Sequence, residues 1–217
     1  MISKNFKNRT MTSLLLFGLI YLMFNYDIVL IFTILILGVF SIIEFINITK
    51  KIFNNKISLI SINTLFIFYI SCYCILFSYF NNFLHLKIIL FTLLIACAAS
   101  DIGGFIFGKI LKGPKLTKIS PKKTLAGAMG SLITTFISMA VIIYLLTNNL
   151  NYKIFWVSLA TSIACQAGDL FFSYLKRKAK IKDTGNFFPG HGGVLDRVDG
   201  ILIGLPLGFI SLIILFK

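Results

Sequence analysis

Between Ser173 and Asp199 the chain reads SYLKRKAKIKDTGNFFPGHGGVLDRVD, a run of charge, glycine and histidine set between two strongly apolar segments. The protein has only seven carboxylates, and four of them, Asp169, Asp183, Asp196 and Asp199, fall between residues 169 and 199. An acid in or beside hydrocarbon costs about 2.5–3.5 kcal/mol on insertion scales, so several kept close in sequence point to binding. Hard carboxylate oxygens beside cations suit Mg²⁺, which takes one or two carboxylates and completes its shell with water and substrate phosphates. The nearby bases Lys122, Lys123, Lys176, Arg177, Lys182 and Arg197 match phosphate oxygens. Acids, bases and glycine turns together describe a phosphate site.

The spacing adds to this. Asp169 and Ser173 stand i and i+4, and Lys176 and Arg177 continue that face, so one helix offers a metal ligand, a hydroxyl and two cations. Gly185, Pro189, Gly190, Gly192 and Gly193 keep the following loop non-helical and let backbone N–H groups turn toward an anion. His191 lies in that loop and is placed to donate to a phosphate or a leaving group. Asp196 and Asp199, i and i+3, share a face at the start of the last apolar run. Asp101 precedes Lys109 by eight residues, and Asp169 precedes Arg177 by eight. At 1.5 Å per residue both acids lie about 12 Å below the basic end of their helix. Small residues (Ala98, Ala99, Ser100, Gly103, Gly104, Ala167, Gly168 and Gly200) flank these acids and permit close helix approach.

The elements that must carry these residues are membrane helices. With 58% hydrophobic residues, 13% charged residues and a mean hydropathy of +0.93, the chain cannot be one water-soluble core with a polar surface. A span needs about 20 apolar residues, and seven candidates occur: 11–24, 28–46, 57–80, 86–109, 125–147, 154–175 and 198–216. The expected fold is an all-α polytopic membrane protein of about seven helices with its active site on the cytosolic side. Residues 1–100 read as N-terminal transmembrane helices and 101–217 as the catalytic transmembrane region. The first two spans, separated only by Asn25, Tyr26 and Asp27, are compatible with a tight hairpin. Lys4, Lys7 and Arg9 precede the first run without a small-residue cleavage site, which predicts an uncleaved helix.

With the N-terminus placed in the cytoplasm, eighteen of the 21 Lys and Arg residues fall on the inner side, and only Lys87, Lys153 and Lys217 on the outer. That predicts a multi-pass membrane protein with its N-terminus in the cytoplasm and its C-terminus outside. It also accounts for most of the net charge of +14 without nucleic acid, and no aromatic-basic interleaving of the RNA-binding kind occurs. The cysteines Cys72, Cys74, Cys97 and Cys165 sit in apolar runs without a CxxC pair, as packing residues do. Glu44, in the middle of an apolar run, has no partner that the sequence identifies.

Taken together, Ser173, Leu175, Lys176, Arg177, Lys182, Asp183, Pro189, Gly190, His191, Gly192, Gly193, Asp196, Arg197 and Asp199 resemble the signature of the phosphatidate cytidylyltransferases. Gly168 and Asp169 resemble that family's Gly-Asp pair. Ser120, Pro121, Lys122, Lys123 and Thr124 resemble its Ser-Pro-Lys-Lys-Thr loop, and Asp101 with Gly108 its Asp and Gly on an earlier helix. The resemblance covers residues 101–200. It departs at Leu125 and Ala126, where the family usually has an aromatic residue and a Glu, and at Gly104 and Phe105, where Ala and Tyr are common.

The resemblance implies that CTP and phosphatidic acid give CDP-diacylglycerol and pyrophosphate. It implies catalytic roles for Asp169, Asp196, Asp199, Lys176 and His191. Substrate binding falls to Ser173, Arg177, Lys182, Arg197, Ser120, Lys122, Lys123, Gly192 and Gly193. Asp169, Asp196, Asp199 and Asp101 would hold Mg²⁺, with room for a second cation. The implied partners are CTP, phosphatidic acid and membrane lipids; nucleic acid is not among them, and a homodimer is left open. Two other readings compete: a CTP-dependent enzyme acting on another lipid, as cytidylyltransferase or lipid kinase, and a cation-coupled transporter, which also uses intramembrane acids. The transporter is disfavoured because the acids sit near one face and no inverted repeat is visible.

Overall fold

A computed structural model describes residues 15, 18–117, 120, 123–185, 187 and 192–217. Six long helices follow one another: α1 (Asp27–Ile52), α2 (Lys56–Asn81), α3 (Leu84–Leu111), α4 (Leu125–Thr147), α5 (Lys153–Lys178) and α6 (Leu195–Phe216). Each of the six is long and apolar enough to cross a membrane. Residues 18–25 are also helical, and a single extended residue, Tyr26, separates them from α1. The rest of the expected first span lies outside the described residues. The protein is an all-helical, multi-pass membrane protein, as its composition predicts. The helix ends fall within three residues of the expected spans except at the end of α1, which runs six residues further because Lys50 and Lys51 extend the hydrogen-bonded ladder past the apolar run.

Local chemistry sets the helix ends. Asn55 caps α2 by accepting from the Ile57 N–H, and Thr124 caps α4 by accepting from the Gly127 N–H at 3.1 Å. Asn148 closes α4 in the left-handed region at φ 51°. Helix α5 ends in a Schellman turn: the Lys180 N–H donates to the Arg177 carbonyl, the Ile181 N–H to the Lys176 carbonyl, and Lys180 takes φ 57°. Pro206 lies inside α6, where it removes one ladder hydrogen bond.

The chain divides into two compact units, one containing the residues up to Lys87 with Leu175–Arg197, the other Ile88–Tyr174 with Val198–Lys217. In the first, α1 packs on α2 through Gly38, which leaves room for Ile70 and Cys74, through the stacked rings of Phe45 and Phe66 at 3.8 Å, and through a Thr49–Asn63 hydrogen bond of 2.8 Å. In the second, glycines let backbones touch. A Cβ on Gly103 would stand 2.7 Å from the Gly130 carbonyl, one on Gly127 2.7 Å from the Gly104 carbonyl, and one on Gly168 2.6 Å from the Asp199 carbonyl. Without hydrophobic drive between helices in lipid, such close approach and interhelical hydrogen bonds carry the packing. Buried hydroxyls join these seams: the Ser131 hydroxyl donates to the Ser100 carbonyl at 2.7 Å, and Ser100 and Ser162 share a 3.0 Å hydrogen bond.

Candidate active site

A cavity of about 310 Å³ opens in the second unit, walled by α3 (Ser100, Asp101, Gly104, Phe105), α4 (Gly127, Ala128, Ser131), α5 (Gln166, Asp169) and the α3–α4 connection (Leu116, Ser120, Lys123, Thr124). Its size falls at the lower end of ligand pockets. The two ends of the connection pair as a tight ribbon, with the Leu116 N–H on the Lys123 carbonyl at 2.8 Å and the Leu125 N–H on the Pro114 carbonyl at 2.9 Å. This ribbon ends in the Thr124 cap, so Lys123 stands just before the N-terminus of α4. Its ammonium reaches across to Asp169 Oδ2 at 3.0 Å, both side chains about a quarter exposed. The other oxygen, Asp169 Oδ1, lies against Gly200, where a Cβ would come within 3.0 Å. Small residues on α5 and α6 therefore give the acid its place. Gln166 is oriented by two bonds from its amide nitrogen, to the Ala128 carbonyl and the Ser162 hydroxyl, each 3.3 Å. Because a carbonyl only accepts, the contact to Ala128 assigns the amide nitrogen.

Asp101 and Asp169 thus line one cavity, with Ser100, Ser120, Thr124, Ser131 and Gln166 adding neutral oxygens. Among the described residues no three His, Cys, Asp or Glu side chains gather as a metal-holding group. Two carboxylates with neutral oxygens nonetheless fit Mg²⁺, which relies on few protein ligands. Asp199 turns one oxygen to the Gly200 N–H at 3.0 Å.

The first unit contains a second polar cluster, built on the connection from α5 to α6. Asp196 Oδ1 accepts from the Lys176 ammonium at 2.6 Å, and Oδ2 from the Thr184 N–H (2.7 Å), the Thr184 hydroxyl (3.0 Å) and the Gly193 N–H (3.1 Å). The pair is almost buried, with side chains 12% and 7% exposed. The Gly193 N–H, expected from sequence to be available to an anion, is held by Asp196 in this structure. Gly192 adopts φ 86°, the positive value its residue type permits, and a Cβ there would come within 3.0 Å of Asp196 Oδ2.

The residue that sequence reasoning left unassigned belongs to this cluster. Glu44, 6% exposed on α1, accepts from the Val194 N–H at 2.9 Å, the Leu195 N–H at 2.8 Å and the Thr184 hydroxyl at 2.5 Å. It fills the N-terminal end of α6, where the helix dipole and orphan N–H groups favour a carboxylate. A side chain at Gly193 would collide with Glu44 and Thr184, and one at Gly185 with Glu44. The one clue available in sequence was the cost of an acid inside an apolar run. Ser173 is half-buried, four residues after Asp169, and Arg177 is exposed, with Nη1 on the Ile181 carbonyl at 3.4 Å. Lys182 and Arg197 are exposed, and Ser120 is half-buried with its N–H on Thr117 Oγ1 at 3.3 Å. Lys122 and His191, with Pro189 and Gly190, lie outside the described residues.

A family model described as the cytidylyltransferase family matches residues 1–215. The chain belongs to the cytidylyltransferase family. Relatives include proteins named phosphatidate cytidylyltransferase from Rickettsia bellii, 44% identical over 117 residues, covering 50% of this chain and 51% of the relative. Those from Helicobacter pylori (43% identical, 52% and 42% covered) and Staphylococcus haemolyticus (42%, 52% and 45%) are similar. The matched segment spans about half the length of these curated relatives or somewhat less. Within this cytidylyltransferase-family chain, the cavity supplies oxygens and a cation to one ligand space, and the α5–α6 connection supplies a carboxylate-braced loop with exposed basic side chains.

Proposed function

We propose that the chain transfers the cytidylyl group of CTP to phosphatidic acid, forming CDP-diacylglycerol and releasing pyrophosphate. The observation that carries this reading is the Lys123–Asp169 pair in a three-helix cavity whose walls also hold Asp101 and the capped start of α4. Membership of the cytidylyltransferase family and the names of the relatives support it. A phosphate monoester has a second pKa near 6, so the lipid arrives as an anion and needs no strong base. The barrier is the repulsion between that anion and a nucleotide triphosphate.

In this reading Asp101 and Asp169, with Asp199, would hold Mg²⁺, with room for a second cation, while Asp196, expected from sequence as a further ligand, has both oxygens engaged by Lys176, Thr184 and Gly193. The metal, when bound, neutralises phosphate oxygens during displacement. The chain's own groups do the rest. Lys123, Lys122 and Ser120 hold nucleotide phosphates, the Lys123 ammonium moving from Asp169 to an incoming anion. Lys176, Arg177, Lys182, Arg197 and Ser173 hold phosphate oxygens, with Gly192 and Gly193 shaping the loop and His191 donating a proton to a departing oxygen. Asp196 keeps Lys176 oriented. The proposed setting is the bacterial cytoplasmic membrane, N-terminus inside and C-terminus outside, with lipid phosphate entering from the bilayer and CTP from the cytoplasm. A homodimer is compatible with this arrangement.

The test is purified protein with CTP, phosphatidic acid and Mg²⁺. CDP-lipid and pyrophosphate in equal amounts support the proposal; lipid phosphate with CDP from an unphosphorylated lipid would replace it with a kinase. No turnover with any lipid phosphate overturns it.

A further inference from the structure

We infer that Glu44 is a positioning residue for the reaction, acting on Thr184, Val194 and Leu195 from a different helix. The inference rests on the proposed cytidylyl transfer for its kinetic consequence, but its structural part stands on separate geometry. Glu44 lies on α1, 140 residues before Thr184 and 151 before Leu195, yet it receives the Thr184 hydroxyl and the N–H groups of Val194 and Leu195. Thr184 also donates its N–H and shares its hydroxyl with Asp196, which holds Lys176. One continuous chain of hydrogen bonds therefore runs from Glu44 through Thr184 and Asp196 to Lys176.

Three features make Glu44 specific to this task rather than a generic packing acid. Both its oxygens are engaged, one by the Val194 N–H and the other by the Leu195 N–H and Thr184 hydroxyl, so an amide in its place would turn an NH₂ donor toward a donor. The space around it is cleared by glycine: a Cβ at Gly185 would come within 2.6 Å of Oε1, and one at Gly193 within 2.5 Å. Its two backbone partners are Val194, just before α6, and Leu195, its first residue, so its carboxylate occupies the place an external anion would take at that helix start. Those two N–H groups are accordingly not open to a substrate phosphate.

The experiment uses the full chain in detergent, comparing wild type, Glu44→Gln, Glu44→Asp and Thr184→Val. Backbone hydrogen exchange is followed in the peptide covering 184–195, with the peptide from α4 as a control for the fold. Glu44→Gln should accelerate exchange at 184–195 by roughly tenfold or more while the α4 peptide keeps its protection. In turnover it should lower kcat by about tenfold or more with KM for CTP changed less than about threefold, Glu44→Asp recovering part of the loss. Thr184→Val, which removes one hydroxyl and leaves the carboxylate, should give a smaller effect of the same kind and decides the matter if Glu44→Gln does not fold. Unchanged exchange at 184–195 in Glu44→Gln, or in Thr184→Val should Glu44→Gln not fold, overturns the inference. Accelerated exchange with wild-type kcat also overturns it, because the segment would then be held for stability alone. A wild-type protein without cytidylyl transfer defeats the proposed function, and with it the kinetic part of this inference, while the exchange comparison still decides whether Glu44 holds the segment.

Discussion

Asp169 and Asp196 looked alike in sequence, each an acid at the basic end of an apolar run, but their surroundings separate them. Asp169 has one ammonium, Lys123, and a face on the cavity; Asp196 has three donors from the α5–α6 connection and the Lys176 ammonium from α5. Asp169→Asn should therefore abolish turnover while the protein remains folded in membranes, measured by CDP-lipid formation beside a thermal unfolding scan. Retained turnover would remove Asp169 from the mechanism. Asp196→Asn should lower stability as well, since breaking a nearly buried ion pair by removing one partner costs about 3–5 kcal/mol. An unshifted unfolding midpoint in that variant would show the Lys176 pair to be unimportant for the fold. The chemistry of these residues was legible from their types, whereas their partners were not, because a side chain's donors come from chain segments that sequence spacing does not relate.

Among the elements, the helix seams were the legible feature, whereas Thr124, read in sequence only as part of the Ser-Pro-Lys-Lys-Thr loop, proves to cap α4. The small residues beside Asp101 and Asp169 predicted close helix approach, and Gly104 against Gly127 and Gly168 against Asp199 provide it. Gly168→Ala should cost about 1–3 kcal/mol, because the added methyl meets a backbone carbonyl rather than a side chain able to move. Thermal unfolding in detergent measures this, and an unaltered midpoint would mean the seam can open. The α5 C-terminus offers the opposite case. Lys180 takes a left-handed conformation that glycine adopts freely, so Lys180→Gly should hold or raise stability by up to about 1 kcal/mol. A clear loss would show that the Lys180 side chain contributes contacts of its own.

Across the molecule, the proposed use of Mg²⁺ makes a direct expectation: EDTA should stop turnover, Mg²⁺ should restore it, and unfolding should be little affected, since the fold draws on helix packing instead of a metal cluster. Full activity in excess chelator would count against a divalent cation. The order of residues was enough to establish the membrane class, the six described spans and the types of residue available for phosphate chemistry. It could do so because hydrocarbon demands about 20 apolar residues per crossing and makes each acid costly. Folding in three dimensions was needed to reveal that Glu44 on α1 braces the start of α6, that Asp196 is turned inward to its own loop, and that Asp101 and Asp169 share a cavity. The reason is physical. In a helix that is apolar on all sides, the lipid-facing and protein-facing stripes look alike, so the rotation of each helix, and with it the partner of each rare polar side chain, is set by packing against its neighbours.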